Sequence, residues 1–410
     1  MGAKSSKQQQ QYNAQLNLGT ELFLQQINRD LERKRPLSRA IPELGLANND
    51  HDPEEEDEEE EGAIVYVFNP DRIVSKRVSK RIPSQLSSTS TLQTAAAAEI
   101  PKHYTMVNSM ALPFPGKSID CCVLGRTGSG ENSEQARATC QDEAHFEVSN
   151  DDMLCFGCFD GHGVDGHVIA AACAAQLSSC VLDDQQYYLN QQDFPSAVRG
   201  GMESLVRRLQ EISPNRADIE YSGATAVIGL VDPSTCTVHL ANVGDTRAIG
   251  AKRVDNKYAL VQLSQEHILS VDEEVLRIEQ SGGVVHPLLI DGEFVGPPRC
   301  FFNHELATLP GLMVSRTLGD TVARAIGVVA EPDVFCASNL SFLVLASDGL
   351  WEVMTNEEVV QFVGQRLGLA TRETALSQLL CVEAHKRWLA LENQVGDDVS
   401  CLVLVFEQST

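Results

Sequence analysis

The sequence predicts an α+β fold of stacked layers, with antiparallel β-sheets and helices kept in layers of their own. Three observations lead there. Short apolar runs of strand length recur at Met153–Phe159, Ala224–Val231, Thr237–Val243, Tyr258–Leu263, Phe342–Ala346 and Cys401–Phe406. Several are joined by short, turn-like links, which favours antiparallel pairing over parallel crossovers. Amphipathic segments come in blocks rather than after every strand, which disfavours a doubly wound parallel sheet.

Taken in chain order, residues 1–100 differ in texture from the rest. They hold a glutamine run at 8–11, eight consecutive acids from Glu54 to Glu61 and a Ser/Thr/Ala stretch from Ser84 to Ala98. Such segments bury too little apolar area to offset chain entropy, so 1–100 is expected to be largely disordered. Phe23, Ile27 and Leu31 fall at helical spacing before Pro36 and mark one helical candidate inside it. Ala63–Phe68 is a short apolar run, followed by a basic patch of Arg72, Lys76, Arg77, Lys80 and Arg81 interleaved with Ser75 and Ser79. That patch suits an acidic partner, an anionic lipid surface, phosphorylation, or simple solvation as a linker. Beyond about residue 118 the strand runs begin, with helical stripes at Ile169, Cys173, Leu177 and Cys180 and at Leu376, Leu380, Ala384 and Trp388. Thr355 and Glu358 have the spacing of a capping box that opens a third helix.

A net charge of −25 over 410 residues repels other polyanions and argues against a general nucleic-acid binder. No run approaches the ~18–20 uninterrupted apolar residues of a membrane span, and the N-terminus lacks a signal-peptide core, so the expected location is cytoplasmic. Twelve cysteines scattered from Cys121 to Cys401 through apolar runs read as free buried thiols. Cys155 and Cys158 form a Cys-x-x-Cys pair without two further ligands at zinc spacing, and read as strand packing.

The chemistry concentrates in acids at the ends of apolar strands. Asp160, Asp245, Asp348 and Asp397 each sit there, and a carboxylate beside buried strands needs a cation or hydrogen-bond donors. Carboxylates with few imidazoles suit Mg²⁺ or Mn²⁺ better than zinc. Singly, each is an ordinary turn residue; their recurrence is the signal. Gly125–Gly130 is glycine-rich but lacks the Lys-Ser/Thr of a phosphate-binding loop, and there is no Gly-x-Ser-x-Gly elbow for a serine hydrolase.

Nine segments, in order, then resemble the type 2C (PPM) metal-dependent serine/threonine protein phosphatases, over about residues 118 to 407. They are Gln141-Asp142, Asp160-Gly-His-Gly163, Ser222-Gly-Ala-Thr-Ala226, Asn242-Val-Gly-Asp-Thr-Arg247, Gly282-Gly283, Pro310–Asp320, Ala330-Glu-Pro-Asp333, Ala346-Ser-Asp-Gly-Leu-Trp351 and Gly396-Asp-Asp-Val-Ser400. The resemblance implies a four-layer sandwich, two antiparallel sheets with helices on both outer faces, as a catalytic domain over 101–410 behind a targeting or regulatory segment. It implies a centre of two Mg²⁺ or Mn²⁺ ions, with a weaker third. Asp160 would bridge the two, Gly161 would offer its carbonyl, Asp348 and Asp397 would complete one site, Asp142 belongs to the same set, and Asp245 would serve the third. A water shared by the two ions would attack phosphoserine or phosphothreonine of protein substrates in line, without a covalent phosphoenzyme. Arg137, five residues before Asp142, matches the phosphate-clamping arginine, with Arg126 as its rival. His162 would protonate the leaving oxygen.

Some positions depart from the pattern. Gln141 stands where relatives often carry glutamate, which weakens one metal site. Glu352 and Glu266 stand where aspartate is common. Gly292–Leu309, with Pro297, Pro298, Phe301 and Phe302, falls where the family has a variable flap and is a candidate substrate-selecting surface. The competing reading is a catalytically weak relative that uses the fold as a scaffold, a reading that the retained acids oppose.

Met1-Gly-Ala-Lys-Ser-Ser6 fits N-myristoylation at Gly2. One acyl chain binds membranes reversibly, so the basic patch would supply the second signal for a peripheral, membrane-associated monomer.

Overall fold

A computed structural model describes residues 105–112, 117–125, 139–149, 151–290, 293–302, 309–367, 375–391 and 396–406. The expected disordered segment 1–100, with its helical candidate, acid run, basic patch and Gly2, lies outside the described residues. So do Arg126 and Arg137.

The strands are β1 (Thr105–Ala111), β2 (Ser118–Leu124), β3 (Asp142–Val148), β4 (Leu154–His162), β5 (Gly223–Val231), β6 (Val238–Val243), β7 (Arg247–Val254), β8 (Lys257–Gln262), β9 (Val284–Ile290), β10 (Glu293–Phe301), β11 (Pro310–Leu312), β12 (Asp333–Ala337), β13 (Phe342–Ala346) and β14 (Val399–Val405). The helices are α1 (Gly166–Ser178), α2 (Gln186–Asn190), α3 (Phe194–Arg216), α4 (Asp272–Gln280), α5 (Asp348–Trp351), α6 (Asn356–Gly364) and α7 (Leu376–Ala390). A π-turn follows α1 at Ser179–Asp183, and a 3₁₀ turn covers Thr321–Ile326.

Two large sheets carry the fold, one in the order β1-β2-β14-β13-β7-β8 and the other β12-β6-β5-β4-β3. All their strand pairs are antiparallel. Because side chains alternate across a strand, each central strand feeds two cores. In β5, Val227 and Val231 point between the sheets, where they meet Phe156, Leu240, Leu343 and Leu402. Ala226, Ile228 and Leu230 of the same strand point outward onto Ile169 and Leu177 of α1 and Val198 and Met202 of α3. The other sheet does the same: Leu343 and Leu345 face inward while Val344 packs with Val359 of α6 and Leu380 and Trp388 of α7. Helix, sheet, sheet, helix is the four-layer sandwich that the resemblance implied. A small third sheet, β11-β10-β9, stands apart from the two and packs with α4 around Ile278 and Cys300.

The predicted strands and helical stripes are present with ends moved by up to three residues. Thr355 Oγ1 accepts from the Glu358 N–H at 3.2 Å and Glu358 Oε2 accepts from the Thr355 N–H at 2.9 Å, which closes the expected capping box on α6. Gly166–Asp183 is long and apolar enough on average to pass for a membrane span, although His167, Gln176, Ser178, Ser179 and Asp183 interrupt its apolar run. Its apolarity is that of a core helix, because Ile169, Ala170, Cys173 and Leu177 are buried against the sheet. All twelve cysteines are free; nine are buried, as expected, but Cys140 and Cys236 are part-exposed and Cys336 is exposed.

Candidate active site

The polar ends of both sheets meet where β3 begins and β4 ends in one, and where β13 ends and β14 begins in the other. Asp142 opens β3 and pairs in register with Asp160 near the end of β4, which pairs in turn with Thr225 of β5. Asp160 therefore lies inside a strand that continues to His162, not in an Asp-Gly turn. Asp348 is the first residue of α5, separated from β13 only by Ser347, and Asp397 stands two residues before β14. Asp245 occupies the turn between β6 and β7. Asp160, Asp245, Asp348 and Asp397 all keep some exposed surface, whereas Asp142 and Asp398 are buried.

Like charges directly opposite each other across a strand pair are unfavourable. Here the effect extends to a whole group. Asp160 and Asp348 have carboxyls raised well above the usual range, first by desolvation, then by Asp142 for the one and by Asp397 for the other. Desolvation, then the neighbouring Asp398, pushes Asp142 up to about 8, and desolvation, then Glu266, pushes Asp245 up to about 6. A set of acids that repel one another in a poorly solvated pocket is stabilised by a cation.

The donors suit a hard one. Asp142 Oδ2 is buried with no hydrogen-bond partner. Among the described residues no three His, Cys, Asp or Glu side chains close into a ready cage. Carboxylate oxygens are the donors that Mg²⁺ or Mn²⁺ would take, whereas protein zinc sites more often use nitrogen and sulfur. Backbone supplies the rest of the frame. The Gly161 N–H donates to the Gln141 carbonyl at 3.0 Å, and a Cβ at Gly161 would collide with the Gly166 and Gln141 carbonyls. Only glycine permits that approach.

Gln141 is tied down at both ends. Its N–H donates to Asp398 Oδ2 at 3.0 Å and its Nε2 donates to the Gly163 carbonyl at 2.7 Å. The amide therefore buttresses the His162 turn. The nearby Ser347 and Ser400 draw the Asp142 pKa down, against its burial and the neighbouring acids. Those two serines are themselves joined, the Ser400 N–H to Ser347 Oγ at 3.0 Å.

His162 Nε2 lies 2.7 Å from Asp320 Oδ2. The Asp245 turn is held by His267, whose Nδ1 accepts from the Gly244 N–H at 3.0 Å and whose Nε2 lies 3.1 Å from Asp333 Oδ2. Burial, then Arg316, holds the His267 pKa below the usual range, so the ring is neutral with its proton on Nε2. Glu266 pairs with Arg247 at 2.6 Å, and that guanidinium stacks over Trp351 at 5.1 Å. The candidate flap forms β10 of the third sheet and leads into β11, with residues 292 and 303–308 outside the described residues. Pro297 and Pro298 sit where the β9–β10 register shifts, and Leu289 and Phe294 face each other there, both exposed.

Asp160, Gly161, His162, Asp142, Asp245, Asp348 and Asp397 thus share one neighbourhood. Asp320, Asp398, His267 and the two serines join them and had been given no role from the sequence, though all but His267 lie inside quoted motifs.

Known proteins resemble this chain in sequence and in fold. The sequence profile of the family described as Protein phosphatase 2C matches residues 125–388. Probable protein phosphatase 2C 41 of Arabidopsis thaliana is 30% identical over 321 residues, which cover 70% of this chain and 87% of that protein. Probable protein phosphatase 2C 12 of Oryza sativa subsp. japonica is 36% identical over 207 residues, 49% of this chain and 50% of its own length. Among solved structures, serine-threonine phosphatase 2C from Toxoplasma gondii aligns over 74% of this chain and 100% of its own, with a TM-score of 0.53 at 19% identity. A C. elegans sex determining protein aligns over 71% and 65%, with a TM-score of 0.54 at 20% identity. The fold, the cluster of acids and these matches define a protein phosphatase. This chain belongs to the protein phosphatase 2C family.

Proposed function

We propose that the chain hydrolyses phosphoserine and phosphothreonine in proteins, using Mg²⁺ or Mn²⁺ held by the acids at the sheet ends. The observation that carries this reading is the face-to-face pair Asp142 and Asp160, with Asp348, Asp245 and Asp397 among the acids that raise the Asp160 carboxyl further. Asp160, Asp348 and Asp397, with the Gly161 carbonyl, would hold two ions; Asp142 would act from beneath and Asp245 would serve a weaker third. Bound there, the ions supply positive charge to the phosphate oxygens and acidify a water for in-line attack. The chain's own groups do the rest. His162 donates a proton to the leaving oxygen of the serine or threonine. Arg137, outside the described residues, is the candidate to grip two phosphate oxygens through its guanidinium fork, with Arg126 as the alternative. Ser347 and Ser400 lower the Asp142 pKa, and His267 holds the Asp245 turn.

Around this core, residues 1–100 act as a regulatory or targeting segment. Gly2 carries a myristoyl group, and the basic patch from Arg72 to Arg81 adds attraction to anionic lipid, giving a cytoplasmic monomer that visits membranes. Loss of vesicle binding in Gly2→Ala protein made with an acylating enzyme supports this part; unchanged binding contradicts it.

Direct attack by water predicts that no phosphate is ever attached to the protein. Acid-quenched turnover of a ³²P-labelled phosphothreonine peptide should leave the protein unlabelled. Label on the protein in proportion to enzyme would refute direct hydrolysis.

A further inference from the structure

We propose that Asp320 is the positioning residue for His162, fixing its ring with the proton on Nε2 so that Nδ1 is the nitrogen that serves the leaving oxygen. The proposal rests on the reading of His162 as the proton donor. The two side chains are 158 positions apart in sequence, yet His162 Nε2 and Asp320 Oδ2 stand 2.7 Å apart. Asp320 is only 2% exposed, whereas His162 is part-exposed at the cleft, so the pair has a buried anchor and an accessible end.

The anchor is itself held from several sides. Thr317 Oγ1 donates to the same oxygen, Oδ2, at 2.9 Å. The Asp320 N–H donates to the Ser222 carbonyl at 3.0 Å, and its carbonyl accepts from the Ala323 N–H at 2.8 Å. Arg324 Nη2 binds the Thr317 and Gly319 carbonyls at 2.6 and 2.8 Å, bracing the loop from behind. Asp320 also has a left-handed backbone, φ 49° and ψ 48°, a conformation that non-glycine residues adopt rarely and keep where the surroundings demand it. Across the contact, a Cβ at Gly223 would strike both Asp320 Oδ2 and His162 Nε2, so glycine there leaves room for the pair.

A carboxylate accepting from one ring nitrogen fixes the tautomer and orientation of the ring. In the transfer step the Nδ1–H bond of the imidazolium breaks and an O–H bond forms on the departing serine or threonine. The ring is left neutral, its remaining proton on Nε2 toward Asp320.

Asp320→Asn keeps the size and suits the left-handed backbone while removing the charge. With a phosphothreonine peptide, whose alkoxide needs a proton, kcat should fall by about 10–100-fold with KM within about twofold. With p-nitrophenyl phosphate, whose leaving group does not, kcat should change less than about threefold. His162→Ala should show the same split, and the double variant should be no slower on the peptide than His162→Ala alone. Equal loss on both substrates in Asp320→Asn, with the split retained in His162→Ala, would show Asp320 to be structural and overturn the proposal. No split in His162→Ala would instead overturn the proton-donor reading on which it rests. A third measurement needs no variant to fold: in the Mg²⁺-loaded wild type, ¹H–¹⁵N correlation of the histidine rings should show neutral His162 protonated on Nε2. Protonation on Nδ1 would overturn the proposal.

Discussion

Asp142 and Asp160 face each other across the β3–β4 pair, two carboxylates in direct register at the end of the sheet. A pairing so unfavourable is retained only where something offsets it. On the proposed function the offset is a cation, and stability and activity would then trade against each other at this spot.

The metal-free protein should be strained by that repulsion. Mg²⁺ or Mn²⁺ should raise its Tm and EDTA should lower it, by mass action on the native state. Asp160→Asn should raise the metal-free Tm by several degrees, at roughly 2–4 °C per kcal/mol for a domain of this size, and should blunt the rise on adding metal. Differential scanning calorimetry reads both. A metal-free Asp160→Asn variant that melts below wild type would contradict the repulsion.

Gln141 spends its amide on the Gly163 carbonyl. Gln141→Glu removes that hydrogen bond but adds a charge beside Asp160, and hard cations bind more tightly as ligand charge increases. Titration calorimetry should therefore show tighter Mg²⁺ binding in the variant. Weaker binding would mean that the Gln141–Gly163 contact matters more to the site than the charge.

Acid stability has a separate origin. Glu274 of α4 is buried between Arg277 at 2.6 Å and Arg316 at 2.7 Å, and Ser315 also donates to it. Burial alone would raise its pKa; Arg277, Arg316 and Ser315 outweigh that and hold it well below the usual range. The folded pKa lies below the unfolded one, so the stabilisation is complete above about pH 4.5 and is lost as pH falls through the folded value. Glu274→Gln should cost about 3–5 kcal/mol at pH 7, as expected for breaking a buried ion pair. The deficit should shrink toward pH 3. A deficit in urea melts that is independent of pH would rule out the ionic account.

How much of this was visible in the sequence follows from how local each signal is. The strands β4, β5, β6 and β13 announce themselves because they are buried on both faces and read as continuous apolar runs. β3 does not: in Asp142–Val148 an apolar residue alternates with Glu143, His145 and Glu147. β10 carries a glycine and two prolines, ordinarily signs of a loop, and sits on an irregular hairpin. α3 is the longest helix among those described, yet Gly200 and Gly201 interrupt it where it packs against Gln185 and Val181, and its stripe was overlooked. At the site, Asp160, Asp245, Asp348 and Asp397 were legible because each follows or precedes an apolar run. Asp320 was not legible as a partner of His162, since only the folded chain brings the two together. The serines under Asp142 were hidden for the same reason, and the motif resemblance preserved their identity without revealing their task.

The central claim is that these acids hold the ions a phosphatase needs. It is tested most directly by hydrolysis of a phosphothreonine peptide by the full chain with Mn²⁺, with Mg²⁺ and with EDTA, alongside Asp160→Ala. The account predicts turnover with metal, none with EDTA, and loss in the variant of more than about a hundredfold while its circular dichroism and melting remain those of a folded protein. Turnover that survives EDTA, or an Asp160→Ala variant as active as wild type, would contradict it.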